Sequence, residues 1–121
     1  MSNKPTLNIC LVNPPVLAVL EPWYDEPDFP RTALACLAAF IRDLEGVNIK
    51  VVDAKFDQLS FSGCLESILD FKPDIVGFTA FTNEIKPAAY LAYKIKEVKP
   101  TIKTLIGGVH VTAIPEATLK E

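Results

Sequence analysis

The chain reads as an α/β protein built on an open parallel sheet with helices on both faces, a three-layer arrangement. Three observations predict it. Four short β-rich runs, LNICLV (7–12), VNIKVV (47–52), DIVGFTAF (74–81) and TIKTLIGG (101–108), are separated by stretches of helical period. Strand and helix alternate strictly, which calls for parallel pairing through right-handed crossovers. The first and third runs are continuously apolar, as central strands covered on both faces are, whereas the second alternates Val47, Ile49 and Val51 with Asn48 and Lys50, as a strand nearer an edge does. The resulting strand order is 2-1-3-4, a flavodoxin-like, Rossmann-like arrangement whose switch point lies between strands 1 and 3.

The elements follow in order. Strand 1 runs into VNPPVLAVLEPWYDEPDFPRT (12–32), a connection with five prolines, four acids and three aromatics where a few residues usually suffice. Thr32 to Leu44, TALACLAAFIRDL, is apolar on nearly all sides until Arg42, so the helix is expected to have two buried faces, and Gly46 offers its stop. Phe61, Cys64, Leu65, Ile68 and Leu69 form one apolar face of a second helix that ends before Lys72-Pro73. Ile85, Ala88, Ala89, Ala92, Ile95 and Val98 do the same from about Asn83 to Lys99. After strand 4, VTAIPEATLKE has room for a short helix. A sheet of this order normally carries a fifth strand beside the fourth, so the domain is expected to be truncated there, with a bare edge on TIKTLI at which two copies could pair.

At 121 residues the chain fits one domain, and with half of its residues apolar it can bury a core. A net charge of −3 and a pI near 5.1 argue against a nucleic-acid partner. Cys10, Cys36 and Cys64 are odd in number, lie in apolar runs and form no Cys-x-x-Cys pair, so all three are expected to be reduced core residues. No apolar run approaches the roughly 20 residues that span a bilayer and no leader is evident, which places the chain in the cytoplasm and away from membranes. The mean hydropathy of +0.25 agrees with a surface built to be covered.

Ligands of open parallel sheets bind beyond the carboxyl ends of the strands. Three segments meet there: the connection after strand 1, TAFTNE after strand 3 and GGVHVT after strand 4. Gly107 and Gly108 lack a Cβ and let a ligand or a backbone come close. Thr79 and Thr82 offer hydroxyls around Phe81, and Asn83 has the chemistry of a helix cap. His110, the single histidine, has no second His, Cys pair or evident carboxylate partner, so no metal site is assigned and no Ser/His/Asp set can be assembled. Asp53 closes strand 2 and could contact a ligand hydroxyl, yet no Gly-x-Gly-x-x-Gly follows strand 1, which disfavours a dinucleotide. A phosphate-accepting receiver is disfavoured as well, because Asn13-Pro14-Pro15 and Thr79-Ala80-Phe81 supply no aspartate at the ends of strands 1 and 3.

Taken in order, LVNPP, PRTALACLAAFIRDLEG, VVDA, KPDIVGFTAFT and IGGVHVTAIPEATLKE cover nearly the whole chain. The combination resembles the N-terminal cobalamin-binding domain of the B12-dependent radical S-adenosylmethionine enzymes. In the wider fold an Asp-x-His-x-x-Gly loop follows strand 1, a Ser-x-Leu follows strand 3 and a Gly-Gly follows strand 4. By that resemblance Thr79-Ala80-Phe81 stands for the Ser-x-Leu and Gly107-Gly108 for the glycine pair, while Asn13-Pro14-Pro15 replaces the histidine loop. The resemblance therefore implies cobalamin bound base-off and His-off, its nucleotide tail between strands 1, 3 and 4, with Asn13, Pro14, Pro15, Thr79, Phe81, Thr82, Gly107, Gly108 and His110 as cofactor contacts.

The long connection would then form a flap over the corrin, stiffened by Pro14, Pro15, Pro22, Pro27 and Pro30 and faced by Trp23, Tyr24 and Phe29. The first helix would pack against a C-terminal radical S-adenosylmethionine domain. That domain of the parent would hold S-adenosylmethionine and a [4Fe–4S] cluster through Cys-x-x-x-Cys-x-x-Cys, for which Cys10, Cys36 and Cys64 are too dispersed, so this chain is not expected to catalyse radical chemistry alone. The parent would be a methyltransferase or a cyclase. The alternative is a fold that has lost cobalamin and serves in docking or substrate selection.

Overall fold

The computed structural model describes residues 6–15 and 30–120. Most of the long connection, including Pro22, Trp23, Tyr24, Pro27 and Phe29, lies outside the described residues, as does the expectation of a flap. Strands β1 (Leu7–Asn13), β2 (Val47–Asp53), β3 (Ile75–Thr79) and β4 (Lys103–Gly107) form one sheet in the order β2-β1-β3-β4, parallel throughout. The helices are α1 (Thr32–Ile41), α2 (Phe61–Asp70), α3 (Ile85–Val98, led by a 3₁₀ turn Thr82–Glu84), α4 (Val109–Ala113) and α5 (Pro115–Lys120). The chain steps outward from β1 to β2 and then back across β1 to β3 and β4. Right-handed crossovers therefore put α1 on one face and α2 and α3 on the other.

The main core lies under α2 and α3. Cys10 and Val12 of β1, Val52 of β2, and Val76 and Phe78 of β3 alternate toward that face and meet Cys64, Ile68, Leu91 and Ile95, all nearly or fully buried. At about 1.5–3 kcal/mol per large apolar side chain, this layer supplies most of the burial that holds the sheet. Ser60 caps α2 by accepting the Gly63 N–H at 3.0 Å. Pro87 is tolerated because it occupies the first turn of α3, where the missing N–H costs no hydrogen bond within the helix.

Several expectations are corrected. The first helix ends at Ile41, and of its residues only Leu34 is buried; Leu37 and Phe40, and Leu44 beyond it, point outward, with Phe40 79% exposed. Cys36 shares that outer surface and is exposed, while Cys10 and Cys64 are buried as anticipated. On α3 the buried stripe is Ile85, Ala88, Leu91 and Ile95, a turn of face that leaves Ala89 and Val98 exposed. The cap at the start of this helical segment is the Glu84 carboxylate, which accepts the Phe81 N–H at 2.8 Å. Among the described residues no fifth strand flanks β4, whose Leu105 is exposed. No helix among them is long and apolar enough to cross a membrane.

Candidate functional site

The carboxyl ends of β1 and β2 are built around charge. Parallel register places Asn13 beside Asp53, and the Asn13 side chain donates from Nδ2 to Asp53 Oδ1 at 2.8 Å. An ionised carboxylate only accepts, so the amide has one allowed orientation, and Asn13 Oδ1 must face elsewhere. That oxygen is buried and has no hydrogen-bond partner among the described residues. Asp53 also accepts the backbone N–H groups of Arg31, at 2.6 Å, and Phe56, at 3.2 Å. Its carboxylate thereby fixes the point where the long connection enters α1.

The side chain of Arg31 carries the charge one strand further. Its Nη2 donates to both oxygens of Glu84 at 3.1 and 2.9 Å, and its guanidinium lies 4.5 Å from the centre of the Phe81 ring. Lys55 reaches Glu84 at 3.3 Å. Asp53 and Glu84 are buried, while the Arg31 and Lys55 side chains keep 18% and 19% of their surface. Two cations thus converge on the buried Glu84 carboxylate. A cavity of about 380 Å³ opens beside them, lined by Asn13, Arg31, Thr32, Asp53, Lys55 and Phe81 among others.

The ends of β3 and β4 are built from small groups. Thr79 stands in register with Gly107, and Ala80 is held from both sides: its N–H reaches the Gly107 carbonyl at 3.3 Å and its own carbonyl accepts the His110 N–H at 3.4 Å. Gly108 has φ +103°, and a Cβ there would sit 3.0–3.1 Å from Ala80 O, Ala80 N and Thr79 Oγ1. The fold itself requires that glycine. Gly107 differs, because a Cβ built on it meets nothing within 4 Å. Of the two glycines proposed to admit a ligand, Gly107 has the open space and Gly108 is spent on the turn.

His110 is buried, with Nδ1 3.2 Å from Thr82 Oγ1 and Nε2 without a partner among the described residues. The structure therefore gathers Thr79, Thr82, Gly107, Gly108 and His110 at one end of the β3–β4 pair, and Asn13 and Phe81 at the neighbouring cavity. Pro14 and Pro15, buried directly after β1, fix the direction in which the chain leaves the sheet. Sequence reasoning missed Arg31, Lys55 and Glu84, and weighed Asp53 only for a ligand hydroxyl, whereas its oxygens serve Asn13, Arg31 and Phe56. Nothing in their spacing reveals the cluster, since Arg31 and Lys55 lie 53 and 29 positions from Glu84 and meet it only through the strand order. No group of three or more His, Cys, Asp or Glu capable of holding a metal ion occurs among the described residues.

The donor set suits a neutral polar ligand. It offers an acceptor at Asn13, a ring nitrogen at His110, hydroxyls at Thr79 and Thr82, and an unobstructed approach at Gly107.

Over 115 residues the chain is 34% identical to an uncharacterized methyltransferase of Pyrococcus horikoshii, a match that covers 95% of this chain and 24% of that protein. It is 37% identical over 94 residues to an anaerobic magnesium-protoporphyrin IX monomethyl ester cyclase of Rubrivivax gelatinosus, covering 78% of this chain and 17% of the cyclase. A cyclase of the same name from Cereibacter sphaeroides is 28% identical over 93 residues, 77% of this chain and 15% of its own length. The chain thus spans at most about a quarter of the relatives it matches. No solved structure matches it. The profile of the B12 binding domain covers residues 25–121, and with the 2-1-3-4 parallel sheet already in place the chain belongs to the B12 binding domain family.

Proposed function

We propose that the chain is the cobalamin-holding module of a longer methyltransferase or cyclase of the radical S-adenosylmethionine kind. The observation that carries this reading is the Gly107 surface, open where the backbone of β4 ends and bordered by Thr79 and the turn at Gly108. The cofactor would supply a transferable methyl group or a redox-active cobalt. The protein's part is to bind and orient. Gly107 leaves the approach clear for the nucleotide tail, Thr79 and Thr82 offer it hydrogen bonds, and His110 Nε2 adds a buried polar contact. The chain's single histidine follows β4, so the segment after β1, Asn13-Pro14-Pro15, would offer no imidazole to a bound cobalamin, which would then be held base-off and His-off.

The outer face of α1 supports a partner within the same longer protein. Leu37, Phe40 and Leu44 are exposed together with Cys36, an apolar surface that a neighbouring domain would cover. The relatives are several times longer than this chain, which gives that partner room. Among the described residues no strand pairs with the outer edge of β4, an edge at which two isolated copies would pair. The same features favour, as a second reading, a docking domain without cofactor.

Equilibrium dialysis separates the two. The cofactor reading predicts saturable retention of hydroxocobalamin and at least tenfold weaker retention of cobinamide, which lacks the nucleotide tail. Failure to retain either compound leaves the docking reading.

A further inference from the structure

We infer that the cavity at the ends of β1 and β2 is a subsite for a neutral carboxamide, and that it holds one of the side-chain amides at the rim of the corrin. The inference rests on the cobalamin reading and adds a second, separate contact to the tail groove at β3 and β4. Three observations lead to it. Asn13 borders the cavity, its Oδ1 is a buried acceptor with no partner among the described residues, and the carboxylate of Asp53 prevents the amide from turning over. An acceptor of this kind, sealed from water, calls for a donor, since an unmade hydrogen bond at a buried polar atom costs about 1–3 kcal/mol.

The surrounding charge is balanced. Arg31 and Lys55 pair with Glu84 while Asp53 is satisfied by Asn13 and two backbone N–H groups, so an added ion of either sign meets a like charge whose partners are already taken. A neutral group that both donates and accepts suffers neither penalty. A primary carboxamide does so from one planar edge, giving N–H to Asn13 Oδ1 and offering its carbonyl to the guanidinium side of the cavity. Phe81, over whose ring the Arg31 guanidinium lies, supplies an apolar wall.

The test uses the 121-residue chain, hydroxocobalamin, and the monocarboxylic acids made from it by hydrolysing a single side-chain amide. Dissociation constants are taken from visible titrations. One of the monoacids is expected to bind at least tenfold more weakly than hydroxocobalamin, and Asn13→Ala is expected to bring the two within about twofold, with its thermal midpoint followed in parallel. In the unaltered ¹⁵N-labelled chain, the Asn13 side-chain NH₂ resonances should move on titration with hydroxocobalamin. Binding of hydroxocobalamin with unmoved Asn13 resonances and equal affinity for every monoacid overturns the carboxamide subsite and leaves the cobalamin reading standing. Absence of any binding overturns both.

Discussion

The two halves of the sheet's carboxyl end solve one problem, how to finish a parallel strand, by opposite means. At β1 and β2 the strands end in side chains whose charges fix one another: Asp53 orients Asn13 and the start of α1, and Glu84 gathers Arg31 and Lys55. At β3 and β4 they end in backbone, with Ala80 held between Gly107 and His110 and a glycine at φ +103° closing the turn. The first half gains direction, because carboxylates accept from only certain partners. The second gains clearance, because atoms are absent. The cobalamin proposed above, with its polar rim and slender tail, would use both.

The comparison breaks most visibly at Gly108. Replacing it with valine forces a β-branched residue into a backbone region nearly reserved for glycine and drives a Cβ to 3.0 Å from Ala80 O. A loss of roughly 3–5 kcal/mol, read by urea denaturation, is expected from the combined strain and overpacking. Glu84→Gln comes next. It leaves Arg31 and Lys55 facing each other across a neutral amide, and because both are partly exposed the expected loss is about 2–3 kcal/mol. A loss below about 0.5 kcal/mol would show that the charged half is held by packing alone.

A smaller effect concerns the core beneath both halves. Burial pushes the Cys10 and Cys64 thiols up to about 12. Below pH 9 both states keep these protons; above it the unfolded chain releases them while the folded chain holds them, so stability should fall between about pH 9 and 12. Replacing both cysteines with alanine should flatten that fall. At pH 8 an alkylating reagent should modify the exposed Cys36 alone, and all three thiols only after unfolding. The smallest effect on stability belongs to Gly107→Leu, within about 0.5 kcal/mol because the added side chain enters open space.

The sheet was legible from sequence because strand order follows from which runs are apolar on both faces, and β1 and β3 carry that signature in every residue from Cys10 to Val12 and from Val76 to Phe78. The glycine turn was legible in part: Gly107-Gly108 is visible as a pair, but which one faces a ligand depends on φ and on the approach of Ala80. The charged half was hidden. Arg31, Lys55 and Glu84 look like ordinary solvated residues until the crossover of α2 brings β3 beside β1. The two apolar faces of α1 were legible as well, but an apolar helix surface does not say which of its faces the same domain covers, and here that is the face of Leu34.

Central to this account is that cobalamin approaches over Gly107 and binds without a protein histidine. The direct measurement is a visible-absorbance titration of hydroxocobalamin against the chain and its Gly107→Leu variant, whose fold should be unchanged. The account predicts a saturable shift to the base-off spectrum with the unaltered chain and a loss of affinity of tenfold or more in the variant. No spectral change with the unaltered chain, or equal binding by both proteins, would contradict it.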